Sequence, residues 1–268
     1  MKNFKKCINE KWKKIIDYIL IFVSTVLILF FLLVISAKIP LSAIKQHLEE
    51  SAEFYVELPK AKTNKAYSYI HFASDVKKLD ILYYIDTNHP IESVLWSKYF
   101  QEKNTVIVSY RTFYELIKNN KSPNTNYLRY WNGVMLFLRP LLLLFNMKQI
   151  YIINQIILSI LILLLLVMLF KKFKKLAIIF LISLILVSAW EVISIKYAVT
   201  FYIMIITSMI ALKIEENSKK ESKEKINEKF SKLFFITGIV TTFFDYFTTE
   251  LITIYVPILL ILILRKEE

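Results

Sequence analysis

The sequence predicts a mainly α, polytopic helical membrane protein of about six spans, with a small extracytoplasmic α/β domain between the first and second spans. Three observations predict it. Of the 268 residues 56% are hydrophobic, and the mean hydropathy is +0.48, too apolar for a soluble domain of this size. Uninterrupted apolar runs at Tyr18–Ala37 and Ile150–Phe170 come near the roughly 20 residues that a helix needs to cross a hydrocarbon core. Lysines cluster at Lys2–Lys14, Lys171–Lys175 and Lys213–Lys232, beside apolar segments. Cytoplasmic loops collect Lys and Arg because they resist translocation and meet anionic lipid. That placement also accounts for the formal net charge of +13, and no nucleic-acid motif accompanies it, so no nucleic-acid partner is expected.

Residues 1–17 form a basic cytoplasmic tail, and 18–37 the first transmembrane helix. The apolar run exceeds the ~7–15 residues of a signal-peptide core, so it reads as an uncleaved anchor. Cys7, the single cysteine, lies in the tail and excludes an internal disulfide. Residues 38–127 are the polar region, with acids offsetting lysines as suits the outside. Within it "AYSYIHFASD", "DILYYID" and "NTVIVSY" are β-branched or aromatic and read as strands, whereas Leu41–Phe54 and Ser109–Lys118 read as helices. A region this short buries little core alone, so it should lean on the membrane helices. Residues 128–147 carry Arg139-Pro140 near the middle of an apolar stretch. A central arginine costs about 2.5 kcal/mol or more on insertion scales, and proline removes a helix hydrogen bond. A re-entrant or interfacial helix is therefore expected, with Tyr127, Tyr130 and Trp131 at headgroup level. Residues 148–264 form the bundle: Ile150–Phe170, Leu176–Trp190, Tyr197–Leu212, Leu233–Phe244 and Leu251–Leu264, with a cytoplasmic linker at 213–232. Residues 265–268 end the chain inside. The expected location is the plasma membrane, multi-pass, with both termini cytoplasmic.

The informative polar residues fall near the outer membrane surface. Arg129 and Arg139 flank the greasy run 126–145, "NYLRYWNGVMLFLRPLLLLF". A planar guanidinium donates two parallel hydrogen bonds to phosphate, so the pair suits a ligand with an anionic head and a lipid tail. Snorkelling to lipid phosphates, which would simply fix helix depth, is the other reading. Asp245 in "TTFFDYFTTE" is the clearest carboxylate at membrane depth; it pairs with Arg139 or Lys196, or it acts in a site. The outer region supplies Asp80, Asp86 and Glu92, with His89 between. A general base could come from these, although Asp86-Thr-Asn-His-Pro also reads as a turn. There is no phosphate-binding glycine loop, dinucleotide fingerprint, nucleophile elbow or zinc motif.

The run 126–145 resembles the Tyr-x-Arg-Tyr-Trp-x-Gly…Leu-Arg-Pro-Leu-Leu segment of a group of uncharacterised multi-spanning proteins of low-GC Gram-positive bacteria. "FFITGIVTTFFDYFTTELITIYVPILL" is similar to that group's second segment. The match covers Arg129, Tyr130, Trp131, Gly133, Arg139, Pro140, Gly238, Asp245 and Thr248. The layout resembles that of type C glycosyltransferases, which take sugar from a polyprenyl-phosphate donor on the outer face. The resemblance implies lipid-phosphate binding by Arg129 and Arg139, and catalytic roles for Asp86, Glu92 and Asp245. It implies membrane lipids and a polyprenyl-phosphate sugar as partners, with an envelope glycan or protein as acceptor. No nucleotide is needed, and a divalent metal ion is the one cofactor it allows. Where the family carries an acidic loop motif, this chain reads "NHPIE" and keeps Glu92. The alternative from another class is a non-catalytic accessory or assembly protein of the cell envelope. A transporter ranks below both, because few polar residues lie within Ile150–Phe170 or Tyr197–Leu212.

Overall fold

A computed structural model of the chain describes residues 2–58, 66–102, 110–186, 194–244 and 249–267. Over these the protein is mainly α. The first helix, α1 (Lys2–Ala37), is followed by α2 (Leu41–Glu57), α3 (Ala66–Tyr83), α4 (Pro90–Trp96) and α5 (Tyr110–Lys118). Then come the short α6 (Met135–Leu141) and the longer α7 (Met147–Lys172), α8 (Lys174–Leu186), α9 (Ile195–Glu216), α10 (Lys223–Phe244) and α11 (Ile252–Glu267). The only sheet among the described residues is a two-stranded antiparallel ladder, β1 (Lys98–Tyr99) against β2 (Thr125–Asn126), with Tyr99 opposite Thr125.

Among the described residues, three helices are long and apolar enough to cross a membrane: Trp12–Ala37, Met147–Lys172 and Tyr197–Glu216. The first two have 26 residues each, about 39 Å of helix, and the third has 20, about 30 Å. All three match or exceed a hydrocarbon core of ~30 Å. Helix α7 starts sharply because Asn146 and Gln149 form a reciprocal capping box, and it ends in Lys171 and Lys172, whose charge suits the negative end of the helix dipole. The expected segments at α8, α10 and α11 are helical too. Of these, α8 has 13 described residues, α11 has 16 with Pro257 inside, and α10 begins with the charged run Lys223–Lys232. Helix α9 is the centre of the bundle, packing on α7, α10 and α11, while α8 lies against α7 and α1 against α10. Leu158, Leu165, Leu169, Ile205 and Leu212 fill the bundle core.

The polar region between the first two long spans is a helical cap rather than the α/β domain that its composition suggests. "AYSYIHFASD" and most of "DILYYID" form one continuous helix, α3. Its buried residues Phe72, Val76, Leu79 and Leu82 recur every three or four positions, the spacing of one helical face. Aromatic and β-branched content favours strands only where a pleated surface receives it; here no Gly or Pro interrupts the run, and the face packs on α2 and α5. The third expected strand, "NTVIVSY", falls on 104–110, of which only Tyr110, the start of α5, lies within the described residues. The expected helices α2 and α5 are present. The cap core (Ile44, Leu48, Leu79, Phe113, Leu116) is continuous with Leu33 and Ala37 of α1 and with Ile150 and Tyr151 of α7. The cap therefore shares its interior with the ends of two long spans.

Residues 128–145 do not form one helix; only Met135–Leu141 is α-helical. The segment is fixed by a close approach. Gly133 N donates to Phe243 O at 3.3 Å, and a Cβ on Gly133 would stand 2.5 Å from that oxygen. Only glycine permits this backbone-to-backbone contact between the cap and the end of α10.

Candidate functional site

The two arginines of the opening motif have different fates. Arg139 is fully enclosed. Its Nε and Nη2 donate to Ile39 O at 2.9 and 2.5 Å, and its Nη1 donates to Leu82 O at 2.6 Å. Ile39 lies in the α1–α2 turn, and Leu82 supplies one of the last carbonyls of α3, where the dipole favours a cation. Burial pulls its pKa down to about 10. This guanidinium, expected from the sequence in a phosphate clamp, ties α6 to two other elements through their backbone carbonyls. Arg129 is exposed, with its guanidinium carbon 5.2 Å from the Tyr130 ring.

Of the expected catalytic acids, Asp86 and Glu92 fall within the described residues. Asp86 is exposed in a turn, where Oδ1 accepts from Asn88 N and Oδ2 lies 2.9 Å from His89 Nδ1. That hydrogen bond lowers the Asp86 pKa and raises that of His89. Glu92 is exposed in the first turn of α4, 3.7 Å from Lys98 Nζ. Neighbours in a strand point to opposite faces, so Lys98, exposed, and Tyr99, buried, look away from each other. Asp245 lies outside the described residues.

The chemistry concentrates instead on α3, in "SDVKKLD", residues 74–80. On one face Asp75 and Lys78 are both buried, with Lys78 Nζ donating to Asp75 Oδ1 at 3.0 Å. Asp75 Oδ2 accepts from Tyr151 Oη and from Ile195 N, each at 2.9 Å. Ile195 opens α9, so Asp75 places a carboxylate at that helix's positive end. Tyr55 Oη lies 2.5 Å from Tyr151 Oη. The cluster joins α2, α3, α7 and α9 and reads as a weld between cap and bundle.

On the other face, Asp80 is fully buried. Its Oδ1 accepts from Phe100 N at 3.3 Å, and Oδ2 has no hydrogen-bond partner among the described residues. Desolvation pushes its pKa up to about 8. One turn earlier, half-buried Lys77 sets Nζ 3.9 Å over the Tyr99 ring and 5.0 Å from that of Tyr127. Burial lowers the Lys77 pKa, and Asp80 opposes that shift. The row continues outward: Tyr99 to Tyr127 is 6.0 Å, Tyr127 to Tyr130 is 6.0 Å, and Arg129 sits over Tyr130. The ladder builds this row, since β1 carries Tyr99 and Tyr127 follows β2, its N donating to Ser97 O. Tyr99 is buried under Lys77, whereas Tyr127 and Tyr130 are part-exposed and Arg129 is exposed, so it is the outer end of the row that can bind an anion and stack a sugar ring. The carboxyl beneath is buried, and desolvation disfavours its charged form.

In the sequence Asp80 stands among the acids of the outer region, and nothing singles out Lys77 or Tyr99. The available signal is helical: Lys77 and Asp80 stand three apart, the spacing of neighbours on one helix face. Among the described residues no group of three or more His, Cys, Asp or Glu could hold a metal ion, so they offer no ready site for a divalent cation. Comparison with family models, curated proteins and solved structures finds no match to this chain.

Proposed function

We propose that this is a multi-pass plasma-membrane protein of about six spans, cap outward and termini cytoplasmic, that binds a phosphate-headed lipid carrying a sugar, of the polyprenyl-phosphate class. The observation that carries this reading is the row Lys77, Tyr99, Tyr127, Tyr130 and Arg129. Arg129 takes the phosphate at the exposed end of the row, Lys77 adds positive charge from its half-buried end, and the Tyr127 and Tyr130 rings take the sugar face. A glycosyltransferase-like activity adds one requirement, a base for the acceptor hydroxyl, which Asp86 or Glu92 would supply from the exposed side of the cap.

The second reading is a non-catalytic accessory protein of the envelope. It is favoured by the placement of those two acids, both exposed, Asp86 hydrogen-bonded to His89 and Glu92 beside Lys98. Native mass spectrometry of the protein purified in mild detergent tests the binding claim common to the first reading. A co-purified polyprenyl-phosphate lipid that disappears in Arg129→Gln and in Lys77→Gln supports it. Retention of that lipid by both variants makes the row a structural feature of the cap.

A further inference from the structure

A groove of about 400 Å³ runs between α1 and α10. Phe22, Val26 and Leu29 of α1 and Gly238 and Ile239 of α10 line it, and Trp131 roofs it. Toward the start of α1 it adjoins a second apolar recess that shares Phe22 and Phe235. The two helices touch beyond that point, where the Tyr18 and Phe235 rings meet edge to face at 5.1 Å. At the roof, Trp131 bridges Phe30 of α1 at 6.5 Å and Phe243 of α10 at 6.0 Å. Between these two closures the helices part. Gly238 marks the gap, because a Cβ there would meet no atom within 4 Å.

The size of the gap selects its occupant. Residues 22–29 span only about 10 Å of α1, and a helix with side chains is ~10–12 Å across, so no further helix fits between helices that touch at one end. The volume equals roughly a dozen water-sized groups at about 30 Å³ each, the scale of one stretch of hydrocarbon chain. The walls are apolar apart from Thr242, and the α1 side of the groove falls within Trp12–Ala37, a helix long and apolar enough to cross a membrane. The roof continues directly into the cation row, since Trp131 follows Arg129 and Tyr130 in sequence. We infer that the groove holds one hydrocarbon chain of a phosphate-headed lipid, with the head on Arg129 and the chain passing under Trp131. This inference rests on the proposed binding function and adds the site of the tail.

The test fills the groove without touching the row. Gly238→Leu projects a side chain into open space, and leucine is the better helix former, so the fold should tolerate it. Val26→Phe fills the same space from α1. Binding to the purified full chain is titrated by native mass spectrometry, with polyprenyl phosphate and with phosphatidylglycerol as separate probes. Both filling variants should weaken binding by about tenfold or more, and Gly238→Ala by no more than about twofold. Loss for polyprenyl phosphate alone identifies an isoprenoid chain, and equal loss for both identifies an ordinary acyl lipid; either result supports the groove. Native-strength binding by both filling variants, with loss in Arg129→Gln, overturns the groove and leaves the cation row standing. Loss in the filling variants with none in Arg129→Gln keeps the groove and removes the headgroup site.

Discussion

Replacing Asp80 by asparagine tests whether the buried carboxyl is held uncharged. Its pKa rises from 3.8 to about 8 because burial strips water from it, and a single backbone N–H at 3.3 Å compensates weakly. Below the ordinary value both the folded and the unfolded chain hold the proton, and stability does not depend on this group. Between 3.8 and about 8 the unfolded chain releases the proton while the folded chain keeps it, so stability falls as pH rises through this window. Each unit is about 1.4 kcal/mol, so going from about pH 5 to about pH 7.5 removes roughly 3 kcal/mol. Asparagine has the same shape and does not titrate. Asp80→Asn should therefore gain on the wild type by that amount across the interval, or by roughly 6–12 °C in melting temperature. Lys77, Tyr84 and Tyr99 sense Asp80, but they are present in both proteins, so the difference between the two curves isolates the carboxyl. Thermal unfolding in detergent, followed by intrinsic fluorescence at several pH values, gives both curves. A constant gap across this interval would refute the reasoning, because an Asp80 that is charged and paired in the folded chain titrates below its ordinary value of 3.8 and leaves the interval flat.

Two further substitutions address the joints of the cap. Arg139→Gln removes donors from Ile39 O and Leu82 O and should cost roughly 2–5 kcal/mol; Arg139→Lys should not restore it, since an ammonium lacks the planar fork that reaches both carbonyls. The same melting assay reads this, and lipid binding by the surviving folded fraction should be unchanged, because the guanidinium faces no ligand. Gly133→Ala forces a Cβ to within 2.5 Å of Phe243 O and of its ring, and should destabilise by about 1–3 kcal/mol. A melting temperature equal to the wild type would mean that the α10 end moves freely away from the cap.

The long spans were legible because their signal is a sum over about twenty residues, which no single tertiary contact can reverse. Helices α2 and α5 were legible from their local pattern. Helix α3 was not, because its tyrosines and isoleucines carry strand propensity while its burial has helical period; propensity is a weak prior and the packing face decides. The split between Arg129 and Arg139 was illegible for a different reason. Sequence shows donors but not acceptors, and a guanidinium near apolar residues satisfies itself equally on phosphate oxygens or on backbone carbonyls. Arg139 found the carbonyls of Ile39 and Leu82, 100 and 57 residues away in the chain.

Helix α3 shows how far partners, rather than residue types, determine chemistry. It carries two Asp/Lys pairs at the same spacing of three, Asp75 with Lys78 and Lys77 with Asp80. At about 100° per residue, Asp75 and Lys77 point roughly 160° apart, so the pairs occupy opposite faces. The Asp75 face meets α2, α7 and α9, and its carboxylate gathers at least three donors: an ammonium, a phenol and the first N–H of a helix. The Asp80 face meets the short β1–β2 ladder and the residue after β1, which supply one N–H and aromatic rings that draw Lys77 toward themselves. The first carboxyl is thereby consumed in joining cap to bundle. The second keeps an oxygen without a hydrogen-bond partner among the described residues and a pKa raised by burial. The two conditions are linked through the helix they share, since the Asp75 weld fixes α3 and so holds Asp80 away from water. Loosening the weld should therefore let the Asp80 pKa fall toward its ordinary value, even though no atom of the weld touches it.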